Sequence, residues 1–199
     1  MRSENWFGAE AVILTSASSK TAMGLASVAK QLSPHVKRIG LTSAGNIGFV
    51  RGCGLYDAVY SYDDLGNLAG QASVVVDFAG NAELLKSIHE TCTDNLKYSC
   101  LVGATHIEER GNGGMNDDRG LPGAKPTLFF APDHAVALFK AHGPEEAGAM
   151  IGKAWHGFLS ELGSSVEIEH RQGLEAARTT YLTMIGGNVD PTKGIVILP

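Results

Sequence analysis

From Ala11 to Leu14 every position is apolar, and the run stops at Thr15. Small hydroxyl residues follow, and then Ala22, Leu25, Ala26, Val28 and Ala29 recur at helical spacing. The pattern predicts a strand, a tight turn and a helix. Ser18 or Ser19 is placed to cap that helix, with Lys20 and Thr21 in its first turn. Similar runs repeat along the chain. A second strand is predicted at Lys37 to Thr42, a short helix from about Gly45 to Cys53, and a brief strand at Ala58 to Tyr60. Ser73 to Phe78 reads SVVVDF, so uniformly apolar that both faces of the strand should be covered. Asn81 is placed to cap a helix reaching about Cys92, with Leu84, Leu85 and Ile88 on one face. Tyr98 to Gly103 and Thr127 to Phe130 give two more strands, and Pro132 and Asp133 open a helix to about Ala141.

Repeated β-α-β units need right-handed crossovers and build a parallel sheet layered by helices. The expected class is α/β: a Rossmann-like doubly wound parallel sheet flanked by helices, formed by residues 1–143. Within it, residues 107–126 are charged and glycine-rich, and read as a mobile loop or a disordered excursion. From Pro144 the pattern changes. A long helix to about Leu162 carries Met150, Ile151, Trp155, Phe158 and Leu159 on its stripe. A short strand at Val166 to Glu169, a helix from about Leu174 to Ile185 stopped by Gly186-Gly187, and a final strand at Ile195 to Leu198 follow. Residues 144–199 thus form a C-terminal helix-strand appendage.

Charge and composition narrow the partners. A formal net charge of −5 and a pI near 5.8 argue against nucleic acid or an anionic membrane. No apolar run reaches the roughly 18 residues that a membrane span needs. The start, MRSENWFGAE, is acidic and lacks the apolar core of a signal peptide. Cys53, Cys92 and Cys100 share no metal-like spacing, and Cys100 in an apolar strand reads as a buried free thiol. A reducing, cytoplasmic setting and no metal site are expected.

In a doubly wound sheet, ligands bind at the carboxyl ends of the strands. That rule gathers Ser16 to Thr21, Thr42 to Asn46, Ala79 to Asn81, Gly103 to His106 and Phe130-Ala131 at one crevice. Four of these five segments place small or glycine residues just past an apolar strand, leaving room for an extended flat ligand. A dinucleotide fits that description. The first helix presents N–H groups and a partial positive charge to an anion. Lys20 opposes the helix dipole in the first turn, so its presence asks for another reason, and a bound phosphate is one. Neither G-x-G-x-x-G nor the full P-loop pattern is present, and only Lys20-Thr21 survives of the latter. A reduced P-loop reading therefore lacks both its glycines and a magnesium carboxylate.

The second strand ends in Thr42-Ser43, then Asn46, with no carboxylate to hold a ribose 2′-hydroxyl. Hydroxyls and an amide donate to a 2′-phosphate, with Lys20 or Arg51 to supply charge, so NADP is preferred over NAD. His106 in VGATH is a candidate general acid, readable also as a polar lining residue or a helix cap. His134, His142, His156 and His170 show no ligand spacing, and no Ser/His/Asp group, zinc set or glycosidase-like carboxylate pair can be argued.

SASSKTAMGLA, VVDFAGNAELL, YSCLVGATH, FFAPD and GNVDPTKGIVILP, in that order, resemble an uncharacterised bacterial family. That family is related to the zinc-lacking, quinone oxidoreductase-like medium-chain dehydrogenase/reductases. The resemblance implies that Ala17, Ser18, Ser19, Lys20 and Thr21 meet the pyrophosphate of NADP. It implies that Thr42, Ser43 and Asn46 meet the adenosine ribose and its phosphate. Gly80, Gly103, Ala104, Thr105 and Phe130 would line the nicotinamide half. Ser18-Ser19-Lys20 departs from the glycine-rich turn of that superfamily. Its members also carry a catalytic domain before the nucleotide-binding one, whereas this chain starts almost at the first strand. Residues 171–199 resemble the tail that returns to that domain, so IVIL is expected to lack a parent sheet and to expose an apolar edge. The expected function is the NADP(H)-binding domain of a reductase-like protein without its catalytic domain. The alternative is a non-enzymatic dinucleotide-sensing or partner-binding module, associating as a homodimer or through the C-terminal strand.

Overall fold

In the computed structural model, which describes residues 1–102, 120–187 and 189–199, β1 (Ala11–Leu14) is hydrogen-bonded along both edges. On one side it pairs in parallel with β2 (Lys37–Thr42), Ala11 opposite Lys37 and Leu14 opposite Gly40. On the other it pairs with β4 (Ser73–Asp77), Ala11 opposite Ser73 and Leu14 opposite Val76. β3 (Ala58–Ser61) extends the first side; β5 (Leu96–Leu101) and β6 (Pro126–Leu128) extend the second. The six-stranded sheet is parallel throughout, in the order β3-β2-β1-β4-β5-β6. The order reverses between β1 and β4, which is the topological switch point of a Rossmann-like fold.

Every residue of β1 and β4 is buried, as a strand covered on both faces requires. Ala11, Ile13 and Val75 share a core with Leu84, Ile88 and Cys92 of α3 (Ala82–Cys92). Val12 and Leu14, on the opposite face, are equally buried. α1 (Lys20–Leu32) turns Ala22, Met23, Ala26 and Ala29 inward, and these mostly small side chains let the helix lie close. α4 (Ala131–Leu162) joins α1 through polar contacts. The buried Ser27 hydroxyl donates to Glu161 Oε2, and Lys30 Nζ lies 3.5 Å from Glu161 Oε1. The two helices expected on either side of residue 143 are both present within Ala131–Leu162, divided at Gly143 (φ 76°, ψ 165°), just before Pro144.

The caps follow from the side chains. Ser19, rather than Ser18, caps α1, its Oγ accepting from the Ala22 N–H at 3.2 Å. Asn81 caps α3 in the same way through Leu84 at 2.9 Å. β5 begins at Leu96, two residues before the expected start, because Lys97 faces solvent and interrupts the apolar run without ending the strand. Of the stretch expected to be a mobile loop, residues 107–119 lie outside the described residues. The remainder before β6 is docked: Ala124 N–H donates to Leu96 O at 3.1 Å. At Gly123 (φ 79°) a Cβ would stand 2.3 Å from the Thr93 carbonyl, so only glycine fits.

Leu162–Pro199 form a second compact unit, the first being Met1–Glu161. In it β7 (Glu167–Gln172), α5 (Leu174–Ile185) and β8 (Lys193–Leu198) make a β-α-β unit. β8 is not orphaned, contrary to the expectation for IVIL: it pairs in parallel with β7, from Glu167 opposite Lys193 to Gln172 opposite Leu198. Arg171 Nη1 donates to Thr180 Oγ1 at 3.0 Å and ties α5 to β7.

One buried titratable group links the first unit's stability to pH. His89 of α3 is fully buried, with Nδ1 at 2.9 Å from Pro122 O and Nε2 at 3.0 Å from Ser99 Oγ. A carbonyl only accepts, so Nδ1 carries the proton and Nε2 accepts from the serine. Burial lowers the His89 pKa below its ordinary 6.5, opposed in part by the Pro122 carbonyl. The unfolded chain therefore binds a proton at higher pH than the folded one. This contribution is complete above about pH 6.5 and is lost as pH falls below it. Thermal melts between about pH 5 and 7.5 should show Tm falling on the acid side, and His89→Asn should flatten that slope. An unchanged slope in the variant would show that the His89 proton is not linked to folding.

Candidate functional site

The connection after β1 is held from beneath. Thr15 and Ala17 are fully buried, and Ser16 between them adopts φ 50°, a left-handed conformation for a non-glycine residue. The Ala17 N–H donates to Leu41 O at 3.0 Å, and the Ser19 N–H to Ser16 O at 2.8 Å. The Ala17 carbonyl accepts from the Tyr56 hydroxyl at 2.8 Å. Ala17 also packs with Val50 of α2 (Ile47–Gly52) and Val59 of β3. Gly40 of β2 makes room for this arrangement, since a Cβ there would lie 3.0 Å from both the Ala17 methyl and the Tyr56 ring. Burial pushes the Tyr56 phenol well above its ordinary range, with Cys53 adding to the shift, so the hydroxyl stays a donor. Burial raises the Tyr62 phenol too, opposed by hydrogen bonding to Ser16.

At the start of α1 the residues open outward. Ser18, Ser19 and Lys20 are half-buried and Thr21 is exposed. Asn46 Nδ2 donates to Ser18 Oγ at 3.3 Å, joining the ends of β1 and β2. Ser43 is exposed beside them, whereas Thr42 is buried with its carbonyl accepting from Tyr62 N–H at 3.1 Å. Between Thr42 and Asn46 there is no carboxylate. Arg51, in α2, donates from its Nη2 to Val59 O at 3.1 Å.

Across the switch point, the ends of β1 and β4 are bonded through side chains. Thr15 Oγ1 donates to Asp77 Oδ1 at 2.6 Å, with both residues buried. The same hydroxyl oxygen accepts from the N–H groups of Phe78 (2.8 Å) and Ala79 (3.0 Å). Asp77 Oδ1 also accepts from Ala79 (3.1 Å) and Gly80 (3.3 Å). Gly80 is buried at φ 67°, and Asn81 then caps α3. The sequence reading passed over Thr15 and Asp77. A signal was there: each is the polar residue that closes one of two neighbouring apolar strands.

Phe130, just past β6, is 56% exposed, while its neighbour Phe129 stacks on His134 at 4.5 Å. Gly103, Ala104, Thr105 and His106 lie outside the described residues. Among the described residues no group of His, Cys, Asp and Glu could hold a metal, and no helix is long and apolar enough to cross a membrane. The structure thus brings Ser18, Ser19, Lys20, Thr21, Ser43 and Asn46 together around one helix start. Gly80 stands across the Thr15–Asp77 bond, and Phe130 stands past the edge strand β6. A helix start with an ammonium, hydroxyls and an amide suits a phosphate ester.

A family model described as "Protein of unknown function (DUF2855)" matches residues 1–190. Comparison with curated proteins gives no match. Among solved structures the fold is similar to CurA from Vibrio vulnificus in complex with NADPH, at a TM-score of 0.65 and 12% identity over 95% of this chain and 56% of that one. It is similar to a thermostable alcohol dehydrogenase from Pyrobaculum aerophilum, at 0.60 and 15% identity over 96% and 50%. It also resembles the yhdH oxidoreductase from Salmonella enterica in complex with NADP, at 0.55 and 11% over 95% and 54%. The chain spans about half the length of these structures. At such identities the likeness is one of fold, and there the expected resemblance to dehydrogenases and reductases holds.

The Tyr56 hydroxyl is the tie between the turn and the β3 side. Tyr56→Phe should leave the Ala17 carbonyl without that donor and lower stability by about 0.5–1.5 kcal/mol, read as a shifted urea midpoint. No shift would mean that packing alone holds the turn.

Proposed function

The chain belongs to the family described as Protein of unknown function (DUF2855), and from that premise we propose that it binds NADP(H), as the nucleotide-binding domain of a reductase-like oxidoreductase. The observation that carries this reading is the Ser19-capped, Lys20-bearing start of α1, joined by the Ser18–Asn46 hydrogen bond to a β2 end without a carboxylate. It lies at the switch point, where open α/β sheets take their ligands. CurA and the yhdH oxidoreductase, which share this fold, were crystallised with NADPH and NADP.

The donor set fits the cofactor. Amides of the first turn, Lys20, Ser18 and Thr21 would hold the diphosphate, and Ser43 and Asn46 would donate to the 2′-phosphate of the adenosine ribose. Ala17 and Thr42, being buried, support these contacts from within rather than making them with their side chains. Gly80 and Phe130 would border the nicotinamide half, together with Gly103, Ala104 and Thr105. His106 is the proposed general acid. When bound, the nicotinamide would exchange a hydride with a substrate; this chain's residues bind and orient it. Cys53, Cys92 and Cys100 are buried and outside any disulfide, which supports a reducing, cytoplasmic setting.

A second reading, a dinucleotide-sensing or partner-binding module, is favoured by apolar side chains exposed in the C-terminal unit. Leu174 is 89% exposed, and Tyr181, Ile185, Val196 and Leu198 are exposed as well. Light scattering separates the readings: a dimer lost on polar substitution of β8 supports the module.

Isothermal titration tests the cofactor. NADP should bind about tenfold tighter than NAD, or about 1.4 kcal/mol. Lys20→Met should weaken NADP by a similar factor, because a charge-assisted contact to phosphate is lost. Equal affinity for NAD would overturn the preference, and binding of neither would overturn the proposal.

A further inference from the structure

After β4 three successive N–H groups, of Phe78, Ala79 and Gly80, converge on two oxygens, Thr15 Oγ1 and Asp77 Oδ1, at 2.8 to 3.3 Å. Converging backbone amides of this kind ordinarily make a concavity for an anion. Here the chain fills it itself. Thr15 closes the arrangement by donating to Asp77 at 2.6 Å, and neither side chain reaches solvent appreciably, at 0% and 3% exposure. Peptide planarity then turns the carbonyls of Phe78 and Ala79 away from the pair. The connection after β1 differs, for there Ser18, Ser19 and Lys20 are half-buried and Thr21 is exposed.

We infer that Thr15 and Asp77 set the polarity of the crevice: by engaging the amides after β4 they confine phosphate to the start of α1 and shape the β4 side for the nicotinamide riboside beyond the diphosphate. The inference rests on the NADP(H) reading above. Thr15 and Asp77 touch the loop and not the ligand, so they are positioning residues. In a doubly wound sheet the end of β2 receives the adenosine ribose, so the β4 side of the switch point faces the nicotinamide half. A distortion of residues 78–80 should therefore be felt by ligands that extend past the diphosphate and not by ligands that stop before it.

The test compares two ligands by titration calorimetry: NADP, which crosses the switch point, and adenosine 2′,5′-bisphosphate, which carries only the adenosine side. Thr15→Val removes the hydroxyl at nearly constant shape, and Asp77→Asn changes the carboxylate. Thr15→Val should raise the Kd for NADP about tenfold, or about 1.4 kcal/mol, while the bisphosphate stays within about twofold. Thr15→Ser, which keeps the hydroxyl, should restore the NADP affinity. Should Asp77→Asn fail to fold, the two Thr15 variants decide alone. Equal losses for both ligands, or none for either, would overturn the inference while the cofactor reading stands. Wild-type protein binding neither ligand would remove both.

Discussion

Hydrogen bonding of β1 along both of its edges, each time to a parallel neighbour, is the constraint from which the rest follows. A parallel partner can be reached only by a crossover, so the chain must return over the sheet before each new strand. β1 is thereby covered on both faces, and only an uninterrupted apolar run such as AVIL meets that condition. The same holds for SVVVD in β4, where the polar residue comes last. All connections that follow the strands leave from one edge of the sheet. The reversal of strand order at β1 and β4 then opens a gap between the first α-helix and the third. In open α/β sheets ligands bind at such a switch point.

What fills the base of that gap is side chain rather than glycine. Ser16 takes the left-handed conformation that glycine adopts without strain, at a cost on the order of 1–2 kcal/mol for an L-residue. The surroundings offset it: Ala17 is seated between Val50 and Val59, its N–H on Leu41 and its carbonyl on Tyr56. Packing of this kind fixes the turn in advance of any ligand. The loop after β4 is fixed by the same means, through Thr15 and Asp77. Both walls of the crevice are thus held by contacts between residues far apart in sequence, and they meet at one residue, Thr15, whose hydroxyl belongs to the first strand and bonds the end of the fourth.

That separation explains what could be read from the chain and what could not. Periodicity located β1, β2 and α5 with their observed bounds, and Asn81 announced its helix because a cap is a local signal. Local pattern places a residue at the end of a strand without saying which way its side chain turns. Thr42 and Ala17 were candidates for ligand contact by position and by resemblance, and the structure buries both side chains. The Thr15–Asp77 bond joins residues 62 apart, beyond the reach of any window. β7 was foreshortened for a different reason: EIEHRQ is polar at most positions and half exposed, so neither its length nor its pairing with β8 left an apolar trace.

The two units differ in what stabilises them. In Met1–Glu161 six strands bury a continuous core, whereas Leu162–Pro199 rest on a two-stranded ladder with one helix. A pair of strands is marginal by itself. The pairing of Lys193 with Glu167 at 2.5 Å joins side chains of which Glu167 is largely exposed, so water screens the bridge and it adds little. All the described residues assigned to the dinucleotide belong to the first unit. Under the proposed function, cofactor binding would favour the folded form of that unit directly, because a ligand stabilises the structure that presents its contacts. The exposed apolar side chains of α5 and β8 belong to the second unit and pose a separate energetic problem.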